Sequence, residues 1–452
     1  MRHGIGRLGL GLLFSAALFA VPASAETLNE ALAAAYSGNP ALGAERARQR
    51  ATDEQVPQAL SGWRPTVTAQ GDAGHNWSNT DIAPATENDP AGISISLAQP
   101  VFRGFKTIYG TRAAEATVAA GRQTLLAVEQ DVLFAAVEAY ANVLRDRQIV
   151  AFRQKNVAVL QEQLRAATAR FEAGETTRTD TAQARARLSQ SQAALAGARA
   201  DLAASAANYA RIAGHTPGTL KYPRIAALPA SLDAALAVAA ETNPDVLAAA
   251  FVEEASRHAV EVVKGDLLPS LTLEATASLR HDPGNSAHTS DQATIRGVLS
   301  VPLYEAGRTY SAVREAKQVA SQRRLQTIET GRAVREAVEA TWSALIASRQ
   351  TIAAAKAQVA AAELALDGVR QESRAGSRTT LDVLDAEAEV VDARIVQVSA
   401  ERDRVVAAYR LLAAVGRLTA RDLGLAVAYY DAERNYRAVR GKWIGTDAGS
   451  AE

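Results

Sequence analysis

Residues 269–280 read PSLTLEATASLR: Leu271, Leu273, Ala275, Ala277 and Leu279 alternate with Ser270, Thr272, Glu274, Thr276, Ser278 and Arg280. Period-two alternation makes a strand with one apolar and one polar face. Three more runs share it. Val67, Ala69, Gly71 and Ala73 alternate with Thr66, Thr68, Gln70 and Asp72. Ile93, Ile95 and Leu97 alternate with Ser94, Ser96 and Ala98. Ala293, Ile295, Leu299 and Val301 alternate with Gln292, Thr294, Arg296 and Ser300. The predicted strands cover about 64–77, 91–101, 268–280 and 291–302. Each is close to the ~10 residues that a tilted strand needs to cross a bilayer. Polar loops at about 78–90 and 281–290 join them in pairs.

Lipid cannot satisfy an open sheet edge, so spanning strands must close into a barrel, and barrels begin at about eight strands. Four strands per chain therefore require an oligomer. A dimer would give a filled interior, a trimer a passage. The other reading of the same pattern is two soluble hairpins. Trp63, Phe102, Phe105 and Tyr304 fall at one end of the strands and Trp77 near the other, as aromatic residues do at membrane interfaces.

Working outward, the chain is written twice. Asn39-Pro40 recurs as Asn243-Pro244, Pro65 as Pro269, Pro100 as Pro302 and Gly174 as Gly376, at offsets of 204, 204, 202 and 202. The repeats cover residues 26–230 and 231–428, with a tail over 429–452. After each strand pair comes a proline-free helical stretch, about 105–173 and 305–375, on the order of 100 Å long at ~1.5 Å per residue. Val143, Val150, Val157, Leu164 and Phe171 recur every seven residues, as do Val338, Leu345, Ile352, Val359 and Leu366, a coiled-coil seam. Asp146, Arg147 and Arg153 interrupt a second seam, as a helix lining water would. Shorter return helices follow at about 179–213 and 380–415, and 40–59 and 244–265 supply the missing length by end-to-end stacking. The tail is expected to be partly wrapped around the middle of the tube and partly disordered.

Residues 1–25 form a signal peptide: basic Arg2, His3 and Arg7, an apolar run from Leu8 to Val21, and the small-residue site Ala23-Ser24-Ala25. The GxGxxG string at 4–9 lies inside it with no strand before it and carries no nucleotide chemistry. Past residue 25 no uninterrupted apolar stretch approaches ~20 residues. With 49 basic and 49 acidic residues, the chain has no electrostatic reason to bind nucleic acid. Having no cysteine, it has no disulfide, no thiol chemistry and no N-terminal lipid-bearing Cys. His281, His288 and Asp291 share one loop but match no ligand spacing, and no nucleophile elbow is present. The expectation is no metal, no cofactor and no enzyme.

Helix, strand pair, long helix, turn and shorter helix, twice over, with RFEAGETTRTD at 170–180 and AGSRTTLDVLDA at 375–386, resembles TolC and the outer-membrane efflux proteins over about residues 26–425. The resemblance implies a mainly α fold with a transmembrane β part. It implies a homotrimer forming a twelve-stranded barrel and a twelve-helix periplasmic tube. It further implies a periplasmic adaptor, an inner-membrane ABC or proton-driven transporter, and export of proteins or small toxic molecules across the outer membrane. Asp382 and Asp385, three apart on a helix, match the aspartates at the closed entrance; threefold symmetry would make them two carboxylate rings that attract cations. Their plain alternative is favourable placement at a helix N-terminus. Thr179, Asp180 and Arg378 match positions that latch the tip, while simple capping is the other role of the first two. Ser373 stands where the family has a tyrosine, which weakens the latch unless Arg374 substitutes. Gly174 and Gly376 mark the tip turns. The competing function is a periplasmic coiled-coil or adaptor protein without channel activity.

Overall fold

The computed structural model describes residues 25–282 and 288–448. The leader therefore lies outside the described residues apart from Ala25. The first repeat runs through α1 (Leu28–Gly38), α2 (Pro40–Asp53), α3 (Gln55–Leu60), β1 (Thr66–Ala73), β2 (Asn76–Thr80), β3 (Ala83–Asn88), β4 (Ala91–Arg103), α4 (Lys106–Glu172) and α5 (Arg178–Ala213). The second runs through α6 (Leu232–Thr242), α7 (Pro244–Lys264), β5 (Ser270–Asp282), β6 (His288–Ser300), α8 (Arg308–Arg374) and α9 (Thr380–Ala414), followed by α10 (Ala432–Val439). The fold is mainly helical, and α4 and α8 have 67 residues each.

The four long strands form one antiparallel sheet in the order β1-β4-β5-β6. Its register explains the alternation. Val67 faces Leu97, which faces Ala275, which faces Ile295; Ile93 faces Leu279. The apolar residues thus merge into one continuous face. On the other face Glu274 pairs with Arg296 at 2.8 Å and Asp72 with Arg280 at 3.5 Å. Two predictions about the loops need correction. Residues 76–88 are not a plain loop, because β2 and β3 pair as a separate hairpin that carries Trp77 opposite Glu87. The second strand pair also reaches further than 280 and 291, pairing His281 with Thr289 and Asp282 with His288.

The Asn-Pro landmark is a helix splice. The Asn243 side-chain carbonyl accepts from the amides of Asp245 and Val246 at the start of α7, while its Nδ2 donates to the Ala414 carbonyl at the end of α9. Asn39 does the same between α2 and α5, accepting from Ala41 and donating to Ile212. The pair α2–α3 is broken at Glu54, which the single predicted span of 40–59 did not anticipate.

The core sits at mid-length. Here α1, the middle of α4, the ends of α5 and α9, and residues around 418–425 enclose Leu32, Leu133, Tyr140, Tyr209 and Tyr409. Tyr140 is fully buried, its hydroxyl 2.5 Å from the Lys221 carbonyl and 2.9 Å from that of Glu26. On α8 the seam residues Val338, Leu345, Ile352 and Leu366 are buried and Val359 is partly buried. The seam on α4 fades toward its end, where Phe171 is exposed. The residues at the polar breaks have partners within the chain: Asp146 is buried beside Arg145, Arg147 donates to the Gly218 and Pro217 carbonyls, and Arg153 pairs with Asp392 on α9.

Candidate functional site

The far end of the helices is built twice from one pattern. After α4, Gly174 adopts φ +75 and the Glu175 amide donates to the Arg170 carbonyl at 2.8 Å. After α8, Gly376 adopts φ +83 and the Ser377 amide donates to the Glu372 carbonyl at 3.0 Å. This crossed closure is a Schellman turn, and its left-handed residue is why glycine stands at both places. Three residues on, each return helix opens with a capping box: Thr177 with Asp180, and Thr379 with Asp382. In each box the threonine hydroxyl accepts the amide of the third helical residue, whose carboxylate reaches back to the cap amide.

The cap in the first turn is therefore Thr177, not Thr179, which is exposed on the first turn of α5. Asp180 accepts from the Thr176 hydroxyl and the Thr177 amide, and these bonds hold its carboxyl below the usual value. Asp382 accepts from the Thr379 amide and hydroxyl, both at 2.8 Å, which lowers its pKa in the same way. Arg378 pairs with Glu372 at 2.8 Å, inside its own turn. Ser373 contributes its carbonyl to the Gly376 amide. Within one chain, then, Asp180 and Arg378 bond inside their own turns rather than across to the other hairpin.

The bonds between hairpins join one aspartate that the family pattern singled out, Asp385, to an arginine that it did not, and add a second pair outside that pattern. Asp385 accepts from Arg187 of α5 at 2.6 Å, and Asp392 pairs with Arg153 of α4 at 3.2 Å. Arg187 lay among several charged residues on α5, and only the packing of α5 on α9 selects it. The capping boxes carry a local signal, T-x-x-D at 177–180 and 379–382, that the choice of Thr179 as the cap passed over. At the other end of the molecule Phe102 and Phe105 stack edge to face at 5.1 Å. Trp63 and Tyr304 are exposed beside the foot of the sheet. Among the described residues no group of three or more His, Cys, Asp or Glu could hold a metal ion. One stretch, Leu232–Leu267, is long and apolar enough to cross a membrane by composition. The Asn243-Pro244 splice divides it into two helices that pack on α4 and α8.

The model of the outer membrane efflux protein family matches residues 31–215 and again 235–417, so each half matches separately. The outer membrane efflux protein BepC of Brucella suis is 42% identical over 438 residues, covering 96% of this chain and 95% of BepC. The outer membrane protein TolC of Vibrio cholerae is 27% identical over 438 residues, covering 92% of this chain and 96% of that one. The fold is similar to the crystal structure of the Campylobacter jejuni CmeC outer membrane channel, with TM-score 0.78 at 15% identity, covering 92% of this chain and 89% of that chain.

Proposed function

This chain belongs to the outer membrane efflux protein family and lies in the outer membrane, and from that premise we propose that three copies close into one export duct. The observation that carries the proposal is the four-stranded sheet with a continuous apolar face, a charged opposite face and two unpaired edges, β1 and β6. An open edge is not tolerated in lipid. A dimeric barrel of about eight strands would pack its interior with side chains. The Glu274–Arg296 and Asp72–Arg280 pairs favour a wet interior and hence the larger, trimeric ring. The helices would then form a twelve-helix tube into the periplasm.

In this duct Asp382 and Asp385 form the acidic constriction, and the turns at Gly174 and Gly376 form its periplasmic tip. Thr179, Asp180, Arg378 and Ser373 line the tip where protomers meet, and opening separates them. The duct passes proteins or small toxic molecules onward from an inner-membrane transporter and a periplasmic adaptor, without chemistry of its own. The cleft between α4, α8 and α9, where Arg394 lies over the Phe152 ring, is a charged groove suited to an adaptor helix. A purely structural periplasmic role leaves the apolar sheet face without a purpose.

The chain has no cysteine, so edge closure can be tested by oxidation. One cysteine in place of Thr68 on β1 and another scanned over Thr294, Arg296 and Val298 on β6 should give a covalent ladder ending at the trimer. A ladder ending at the dimer, or no ladder at any pairing, would remove the twelve-stranded ring.

A further inference from the structure

Beyond the export activity, the structure gives the C-terminal segment a definite destination. Its contacts climb the first repeat in order. The Tyr430 amide donates to the Tyr36 hydroxyl, Asn435 donates to Asp53, and Arg440 donates to Glu115 on α4. Arg64 then donates to the Lys442 carbonyl at 2.9 Å and lies 4.8 Å over the Trp443 ring. Arg64 stands two residues before the first residue of β1. The described part of the tail therefore starts against the mid-length core at Tyr36 and runs lengthwise to the foot of the sheet.

What it delivers there is apolar and uncovered. Trp443 is 65% exposed and Ile444 is 90% exposed. They continue the exposed aromatic level marked by Trp63, Phe105 and Tyr304. Lys442 is neutralised by Asp447 at 2.8 Å, so the guanidinium of Arg64 is the cation beside the indole. An indole backed by a guanidinium, next to a bare aliphatic side chain, matches the boundary between headgroups and acyl chains. We propose that Trp443 and Ile444 insert into the periplasm-facing leaflet of the outer membrane, making the C-terminal strap a second, peripheral lipid anchor. The anchor stands in a chain that has no cysteine to carry a lipid. Its continuity with the membrane-facing sheet is what selects lipid over a neighbouring protomer.

The proposal rests on the sheet being inserted, so the test reads both sites. Ile444→Cys and, separately, Ile295→Cys on the apolar sheet face are labelled with an environment-sensitive fluorophore. The full-length protein is reconstituted in vesicles of phosphatidylethanolamine and phosphatidylglycerol. Lipids spin-labelled near the headgroup should quench the label at 444 to a fraction of its starting intensity, while aqueous iodide changes it little. Quenching at 295 by lipid, with the 444 label quenched by iodide alone, would overturn the anchor and leave the barrel standing. Quenching of 444 by neither agent would overturn it in favour of burial against a second copy. No lipid quenching at 295 would overturn both.

Discussion

Asp382 has a local role that the structure shows and a collective one that we propose. It closes the capping box with Thr379, and it is one of the two acidic groups assigned to the constriction. The Thr379 amide and hydroxyl hold its carboxyl below the usual aspartate range. Because the folded value is the lower one, the stabilisation is complete above the unfolded value and is lost as pH falls through the lowered one. As pH falls, block of the channel by a trivalent cation should therefore be lost at a higher pH in Thr379→Ala, which lacks the hydroxyl donor to Asp382, than in the wild type, read in planar-bilayer titrations. Gly104 makes a different demand. It adopts φ +59, and an added Cβ would meet the Gly265 carbonyl oxygen at 2.2 Å. Gly104→Ala should destabilise the join between strand and helix by on the order of 1–3 kcal/mol, read as a lowered melting temperature. Asn243→Ala removes a cap and the tie to Ala414, and should lower stability by about 1–2 kcal/mol in the same assay.

The long helices are held as two hairpins, α4 with α5 and α8 with α9, and the tip depends on how they meet. Arg187 and Arg153 tie the first hairpin to α9 through Asp385 and Asp392. Arg187→Ala should loosen that contact and raise the conductance of the resting channel, with unchanged trimer yield as the control; an unchanged conductance would count against a gating role for this pair. The elements were largely legible in the sequence because their signals are local. Alternation marked the four sheet strands and proline-free runs marked α4 and α8, while the caps of α5 and α9 were missed by two residues and one, at Thr177 and Thr379. The β2–β3 hairpin escaped because its strands lack a clean alternation and Pro84 and Pro90 suggest a loop. The contacts between hairpins escaped because a charge on a helix does not announce its partner: Arg153 reads as a break in a seam until α9 is packed against it. The same holds for Arg147, whose partners are carbonyls about seventy residues away in sequence.

At the scale of the whole molecule, one chain is an incomplete object. Its sheet has two open edges, and its α8 helix leaves a long stretch near the strands exposed. The duplication predicted this quasi-repeated architecture, and the separate match of each half to the family model agrees with it. The course of the tail was beyond reach of the sequence, since nothing in residues 429–448 names Asp53, Glu115 or Arg64 as its supports. The most direct test of the duct is single-channel conductance of the purified mature protein in a planar bilayer, wild type beside Asp382→Ala/Asp385→Ala, with a trivalent cation added from the periplasmic side. The account predicts small, cation-selective currents that the cation blocks in the wild type and fails to block in the double variant. Correctly folded trimers that pass no current, or equal block in both proteins, would contradict it.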